Sequence, residues 1–353
     1  MPENNDILQE ERLAVRLFTD QGGKYPPPPC PERFLAICEY HGVSSLILQA
    51  LQKRNVTGTA WEEIRTRLET RKRQWLARNI YLLDRLRGFS SVLRKAGIPF
   101  IVLKGGSLLG VLYPDFGMRP LNDVDVLVKR EDLDRILGLL QGNGWVIPPE
   151  LSVNYWKERY FHLYIRTDDA ISAMFELHWN LEKKFRHSIE LEELWERSVK
   201  YQSEGESLNR LSNEDLILHL LVHLAHHYFS PRLIWVNDIQ EMTTRSSLDW
   251  DRILARAERW KLRIPVHYSI NYVEKIFPGV LPARVLEGGE IGWIRRMVLK
   301  AVGTDNPLVL TVPMRDPLLR LPFSLYFIDK PVDMAKFLWK NLGPKVGEVT
   351  RRS

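Results

Sequence analysis

The sequence predicts an α+β fold in which a mixed sheet occupies the middle of the chain and helical regions stand before and after it. Two changes of hydrophobic period carry this expectation. Apolar residues recur at three- and four-residue steps over 61–95, and from 99 short β-rich runs replace them. After 212 the helical period returns. Composition is consistent with a packed core: of 353 residues, 44% are hydrophobic and 27% charged, which excludes disordered, collagen-like and disulfide-scaffold classes.

Residues 1–32 read as a flexible N-terminal segment that ends in KYPPPPCPE. Four consecutive prolines, Pro26 to Pro29, each fix φ and donate no backbone hydrogen bond, so a polyproline II connector is expected there. A helical N-terminal region follows over 33–96. Phe34, Ile37, Cys38, Leu46, Ile47 and Leu51 suggest two short helices broken at Gly42. Trp61, Ile64, Leu68, Trp75, Leu76, Ile80, Leu83, Leu86, Phe89 and Leu93 then mark one long amphipathic helix, stopped by Gly97 and Pro99. The triplet Arg71-Lys72-Arg73 on this helix reads as a solvated polar face before it reads as a nucleic-acid patch.

The region 97–182 forms the expected core. Phe100-Ile101-Val102-Leu103 is a short β-rich run and reads as a buried strand. KGGSLLGVLY is a Gly-rich turn into a short helix, residues 124–128 a second strand, and REDLDRILGLLQGNGW a helix closing at Gly142 or Gly144. Residues 160–165 and 173–179 are two further strands, with Thr167-Asp168-Asp169 at the turn between them. The remainder, 183–353, reads as helical. Ser212-Asn213-Glu214-Asp215 caps a helix before Leu216, helical periodicity continues to about 302, and DPLLRLPFSLYF and MAKFLWKNL suggest short helices around prolines.

Lys and Arg total 50 against 44 Asp and Glu, a formal charge of +6. So mild a surplus spreads over solvated faces, and binding to a DNA duplex is not expected. Cys30 and Cys38 are too few for a disulfide framework or a zinc site. No apolar run approaches the ~18–20 residues that a membrane span requires, and the acidic, polar opening MPENNDILQEER is unlike a signal peptide. No membrane partner is expected, and the expected location is cytoplasmic.

One constellation carries chemistry. Asp123 and Asp125 stand two apart at a strand, so both carboxylates point to one face while Val124 and Val126 point to the other. Adjacent carboxylates repel unless a cation lies between them, and Mg²⁺ is commonly held by one or two carboxylates together with substrate phosphates. Glu176 lies on a later strand between apolar neighbours, and converges with the pair if the two strands are adjacent. The Gly105-Gly106-Ser107 turn supplies the complement, because its glycines admit a close approach to the backbone at a helix start, where anions are favoured. A phosphate cradle beside metal-binding carboxylates is the requirement of phosphoryl or nucleotidyl transfer.

This order resembles the nucleotidyltransferase superfamily related to DNA polymerase β. It is more closely similar to uncharacterised bacterial nucleotidyltransferases with the motif LKG…LYPD…R…DxDxLV, which stands here as LKGGSLLGVLYPDFGMRPLNDVDVLV over 103–128. Glu176-Leu177-His178-Trp179 looks like that family's third-carboxylate strand, and the resemblance extends over about 60–340, firmly over 97–182. The gap between Ser107 and Asp123 is slightly longer than is usual in the wider superfamily, and it holds Tyr113-Pro114-Asp115, which the closer family also has. The resemblance implies a polymerase β-like nucleotidyltransferase core, a twisted mixed sheet with flanking helices. It implies two Mg²⁺ ions, with Mn²⁺ as an alternative, on Asp123, Asp125 and Glu176, and makes Glu176 the candidate activator of an acceptor hydroxyl. Gly106 and Ser107 would contact the triphosphate, with Gly105 beside them. Arg119 would pair with a phosphate, or with Asp115 or Asp123. Lys104 would hold the local structure or touch phosphate.

His219, His223 and His227 recur at four-residue steps on one helix. The first and last stand about 12 Å apart along the axis, too far for a common ion, so helix-face histidines are expected. In the resembling family a His-containing stretch ahead of an aspartate, here Asp238, lines the nucleotide or acceptor side. His223, His227 and Asp238 are therefore candidates beside the site, as is His178, which shares the face of Glu176. Asp115 reads as a turn residue, and Trp61, Trp75, Trp145 and Trp179 as packing. The expected activity is Mg²⁺-dependent transfer of a nucleoside monophosphate from an NTP to an acceptor hydroxyl with release of pyrophosphate. The acceptor is a small molecule or a protein before an RNA 3′ end. The alternative is a non-catalytic nucleotide-binding or partner-binding protein of the same fold.

Overall fold

A computed structural model describes residues 4–19, 23–148, 152–182, 187–227, 231–287, 328 and 332–335. The elements run α1 (Asn4–Phe18), α2 (Pro31–Tyr40), α3 (Ser44–Lys53), α4 (Thr59–Lys95), β1 (Phe100–Val102), α5 (Lys104–Leu108), β2 (Val124–Val128), α6 (Leu133–Gln141), β3 (Trp145–Val146), α7 (Val153–Arg159), β4 (His162–Thr167) and β5 (Met174–His178). They continue with α8 (Leu191–Glu196), β6 (Val199–Ser203), β7 (Glu206–Arg210), α9 (Asn213–His226), α10 (Leu233–Arg245), α11 (Trp250–Arg259), α12 (Arg263–Ile276) and α13 (Ala283–Glu287). Among the described residues no single helix is long and apolar enough to cross a membrane.

The strands form a seven-stranded mixed sheet in the order β3-β4-β5-β2-β1-β7-β6. β2 runs parallel to β5 and β1 parallel to β7, and the other pairs are antiparallel. A mixed sheet with flanking helices is compatible with a nucleotidyltransferase fold. Alternation divides each strand between two faces. On one face Phe175 lies 5.4 Å from Phe89 of α4 and 4.7 Å from Trp145, and Phe89 meets Phe100 edge-on at 5.3 Å. This aromatic cluster seats the C-terminal half of α4 on the sheet, with Leu82, Leu83, Leu86 and Leu93 also buried. On the other face Asp125, Glu176 and His178 look toward α9 and α10 across a cavity.

α4 also fixes the long connection between α5 and β2. Asn79 is fully buried; its side-chain amide donates to the carbonyls of Phe116 (2.6 Å) and Arg119 (2.7 Å), while its oxygen accepts from Leu121 N (3.0 Å). Asp115 is a turn residue, accepting from Gly117 N at 2.9 Å, and pairs with Lys72 at 2.6 Å. With Arg71 held by Glu39 at 2.9 Å, two charges of the basic triplet on α4 are neutralised within the fold, as a solvated structural face requires.

Two expectations are corrected. The segment 1–32 contains α1, whose Leu13, Ala14, Val15 and Leu17 are buried, because its apolar residues form a stripe that α2 and α3 cover. The sheet does not end at 182, and the region beyond is not wholly helical. The hairpin β6–β7 places β7 beside β1, pairing Arg210 with Val102. Its turn, Glu204-Gly205, has both residues at positive φ (48° and 79°), the geometry of tight hairpins. α6 closes at Gly142 as expected, and Trp145–Val146 adds an edge strand beyond it. Ser212 caps α9 as predicted, accepting from Asp215 N at 3.2 Å. DPLLRLPFSLYF and most of MAKFLWKNL lie outside the described residues.

Candidate active site

Strand pairing brings the acidic residues together. In the parallel β2–β5 ladder Asp125 is the register partner of Glu176, and Asp123 stands two residues ahead of Asp125 on the same face. All three line a cavity of about 780 Å³ between the sheet and α9–α10. His178 sits two residues beyond Glu176, and antiparallel pairing sets His162 of β4 opposite it. His178 Nε2 lies 2.9 Å from Asp125 Oδ1 and 3.2 Å from Glu176 Oε2. His162, Glu176 and His178 place metal-type ligand atoms all within 4.8 Å of one another, beside the Asp123–Asp125 pair.

Lys104 completes the arrangement. It follows β1 with its backbone in the left-handed region (φ 42°), a conformation costly for any side chain but glycine's, and its Nζ reaches Asp125 Oδ1 at 2.6 Å. Burial pushes the Asp125 carboxyl up, yet Lys104 and His178 outweigh it and hold the group well below the ordinary value. Among the described residues Asp123 forms no ion pair, and the pull of Lys104 and His178 on it is outweighed. Burial, then repulsion from Asp125 and Glu176, drives it up to about 7. Burial opposes the charge on Lys104 and His178, but their carboxylate neighbours hold both above their usual values. The wall thus sets Lys104 and His178 among three carboxyl groups, and the cost of crowding those carboxyls falls on Asp123.

The Gly-rich turn is placed differently from expectation. Gly105 lines the cavity, but Gly106 and Ser107 are buried behind it, and the Ser107 hydroxyl donates to the Lys104 carbonyl at 2.8 Å. Gly105 lacks a side chain because of Arg119: a Cβ there would stand 2.1 Å from Arg119 Nη1 and 2.6 Å from Leu121 Cδ2. Gly105→Ala should therefore cost about 1–3 kcal/mol of stability, because the guanidinium it meets cannot swing aside. Urea unfolding checks this, and a loss below about 0.5 kcal/mol would remove the steric account.

Arg119 pairs with neither Asp115 nor Asp123. It forms a bidentate pair with Asp238 of α10, Nε to Oδ1 at 2.9 Å and Nη2 to Oδ2 at 2.7 Å, with Arg119 5% and Asp238 0% exposed. Tyr113 donates to Asp238 Oδ1 at 2.7 Å, and Asn237 Nδ2 donates to the Tyr113 hydroxyl at 2.8 Å. The spacing of LYPD…R thus serves a buried network that clamps the connection before Asp123 onto α10. The pair with Asp238 occupies Nε and Nη2, while Nη1 donates to the Pro120 carbonyl at 3.2 Å.

His219, His223 and His227 all line the cavity. Burial pushes His219 down to about 3 and His227 to about 4, with His223 well below its ordinary value, so the helix presents neutral imidazoles. The His223 and His227 rings stand 4.8 and 4.7 Å from Trp235, and the Arg232 guanidinium lies over the same indole. Sequence reasoning singled out neither Trp235 nor His162 for the site. The register of His162 against His178 is the signal that would have found the latter.

A family model described as an uncharacterised nucleotidyltransferase matches residues 28–278, beginning upstream of where the motif resemblance started and taking in α2 to α12. No curated protein matches the chain.

Proposed function

Because the chain belongs to this family of uncharacterised nucleotidyltransferases, we propose that it moves a nucleoside monophosphate from an NTP to an acceptor hydroxyl, at the cavity lined by Asp123, Asp125 and Glu176. The observation that carries the proposal is the register of β2 against β5, which sets Asp125 beside Glu176 within the DxD motif. The core is read as polymerase β-like on the same ground. A cavity of about 780 Å³ is within the range that takes a nucleotide.

The residues fit a hard divalent cation: the donors are carboxylates, and the raised Asp123 marks anionic charge that a cation would relieve. Asp123 and Asp125, with Glu176, would hold Mg²⁺, which supplies charge neutralisation at the phosphates and acidifies the attacking hydroxyl. Lys104 presents positive charge on the same wall for the phosphates, and His178 stands beside it. Glu176, a quarter exposed and turned to the cavity, accepts the acceptor's proton, and His178 fixes its orientation. His223, His227, Trp235 and Arg232 offer the base and sugar an aromatic, uncharged-to-cationic surface.

The test is thermal stabilisation by each NTP with and without Mg²⁺. Saturation a hundredfold above Kd should add about 2.7 kcal/mol, and Asp123→Ala/Asp125→Ala should abolish the gain. Cation binding requires Asp123 deprotonated, and its pKa is raised to about 7, so Mg²⁺-dependent affinity should rise about tenfold per pH unit below 7 and level off above about 8. Equal affinity at pH 6 and 8 would place the cation elsewhere. A second reading has one observation in its favour: the Lys104–Asp125 pair at 2.6 Å is a built-in counter-ion that neutralises the site without metal. On that reading the protein binds nucleotide without turning it over, and the NTP shift persists when Mg²⁺ is withheld.

A further inference from the structure

A second cluster adjoins the cavity and takes no part in the carboxylate site. Glu182 follows β5, His187 precedes α8, and His226 ends α9; their ligand atoms all lie within 4.8 Å of one another. His226 Nδ1 stands 2.6 Å from Glu182 Oε2, and the His187 and His226 rings are 5.8 Å apart. Glu182 is 4% exposed, and His226 Nε2 is buried and makes no hydrogen bond.

His187 is held in a specific tautomer. Its Nδ1 lies 2.9 Å from the Lys261 carbonyl, and Ser188 N donates to the Trp260 carbonyl at 2.9 Å, so the segment is fixed to the α11–α12 connection. A carbonyl only accepts, so the proton is on Nδ1 and the lone pair on Nε2. Metal-ligating imidazoles are oriented in this way, with the outer nitrogen donating to a backbone carbonyl or carboxylate.

We propose that Glu182, His187 and His226 bind a divalent transition metal of the zinc type. Two imidazole nitrogens and one carboxylate oxygen suit Zn²⁺ and its neighbours and do not suit Mg²⁺. Ligand atoms around a tetrahedral zinc stand roughly 3.3 Å apart, so small side-chain rotations close the set. Three protein ligands leave a fourth position, and because Glu182 and His226 line the cavity, that position opens toward it. The proposal is independent of nucleotidyl transfer.

The experiment uses the full chain stripped by a chelator and titrated with Co²⁺, followed by visible d–d absorption and then by Zn²⁺ competition. One tetrahedral equivalent is expected. His187→Ala, Glu182→Gln and His226→Ala should each weaken it by about a hundredfold or more, since even outer-shell changes cost 10–100-fold. Asp123→Ala/Asp125→Ala and Glu176→Gln should retain it. Circular dichroism checks each variant's fold, and should His226→Ala unfold, the other two decide. Absence of tetrahedral binding, or binding lost in Glu176→Gln and kept in His187→Ala, overturns the proposal; the second outcome assigns the ion to His162, Glu176 and His178.

Discussion

Arg119→Ala should lower the stability of the fold by about 3–5 kcal/mol, the largest effect expected of any single substitution near the site. The guanidinium and the Asp238 carboxylate are removed from water together, and each makes the other tolerable. Deleting one partner leaves a fully buried charge with Tyr113 as its remaining donor, and uncompensated burial of that kind carries a cost of this size. Lys in place of Arg should not rescue it, because an ammonium cannot reproduce the two parallel contacts. Denaturant unfolding at pH 7 decides. A loss below about 1 kcal/mol, accompanied by a fall in nucleotide affinity, would return Arg119 to the phosphate-binding role that its place in the motif suggests.

Glu176→Gln should leave NTP affinity within about threefold and slow transfer by about 10²–10⁴, the usual contribution of a positioned general base. The amide keeps the shape and the contact with His178 but cannot accept the acceptor's proton. Pyrophosphate release from the preferred NTP, followed with an acceptor-containing cell extract, separates binding from chemistry. Unchanged release would assign proton removal to another group. A parallel loss of NTP affinity would make Glu176 a binding residue.

How far these roles could be read from the sequence depends on the range of the interaction. β1, β2, β4, β5 and α4 were legible because alternation and the 3.6-residue period are local. The Ser212 cap was legible for the same reason. The β6–β7 hairpin was not, since VKYQS and ESLNR are polar strands with few residues committed to the core, although only β6 stands at the sheet edge. At the site, Asp123, Asp125 and Glu176 were legible as a pattern, and their shared cavity wall followed once β2 lay beside β5. Arg119 was legible as important but not in its role, because its partner on α10 is distant in sequence and several acids were nearer. Gly105 stands inside a phosphate-loop pattern, yet the constraint on it is the Arg119 side chain, which no local pattern reveals. The shifts of Asp123 and the α9 histidines arise from burial and from neighbours on other elements.

The partners of β1 and of the connection before Asp123 are synthesised late. β1 gains its second neighbour when β7 has left the ribosome, and the clamp on Arg119 closes when Asp238 has followed. At ordinary elongation rates, that leaves the acidic wall unfinished for roughly ten seconds after its first strand is made. A chain interrupted between Asp125 and α10 carries the whole DxD motif but lacks the carboxylate that secures the approach to it. The order of the acidic wall is thereby tied to completion of translation through α10.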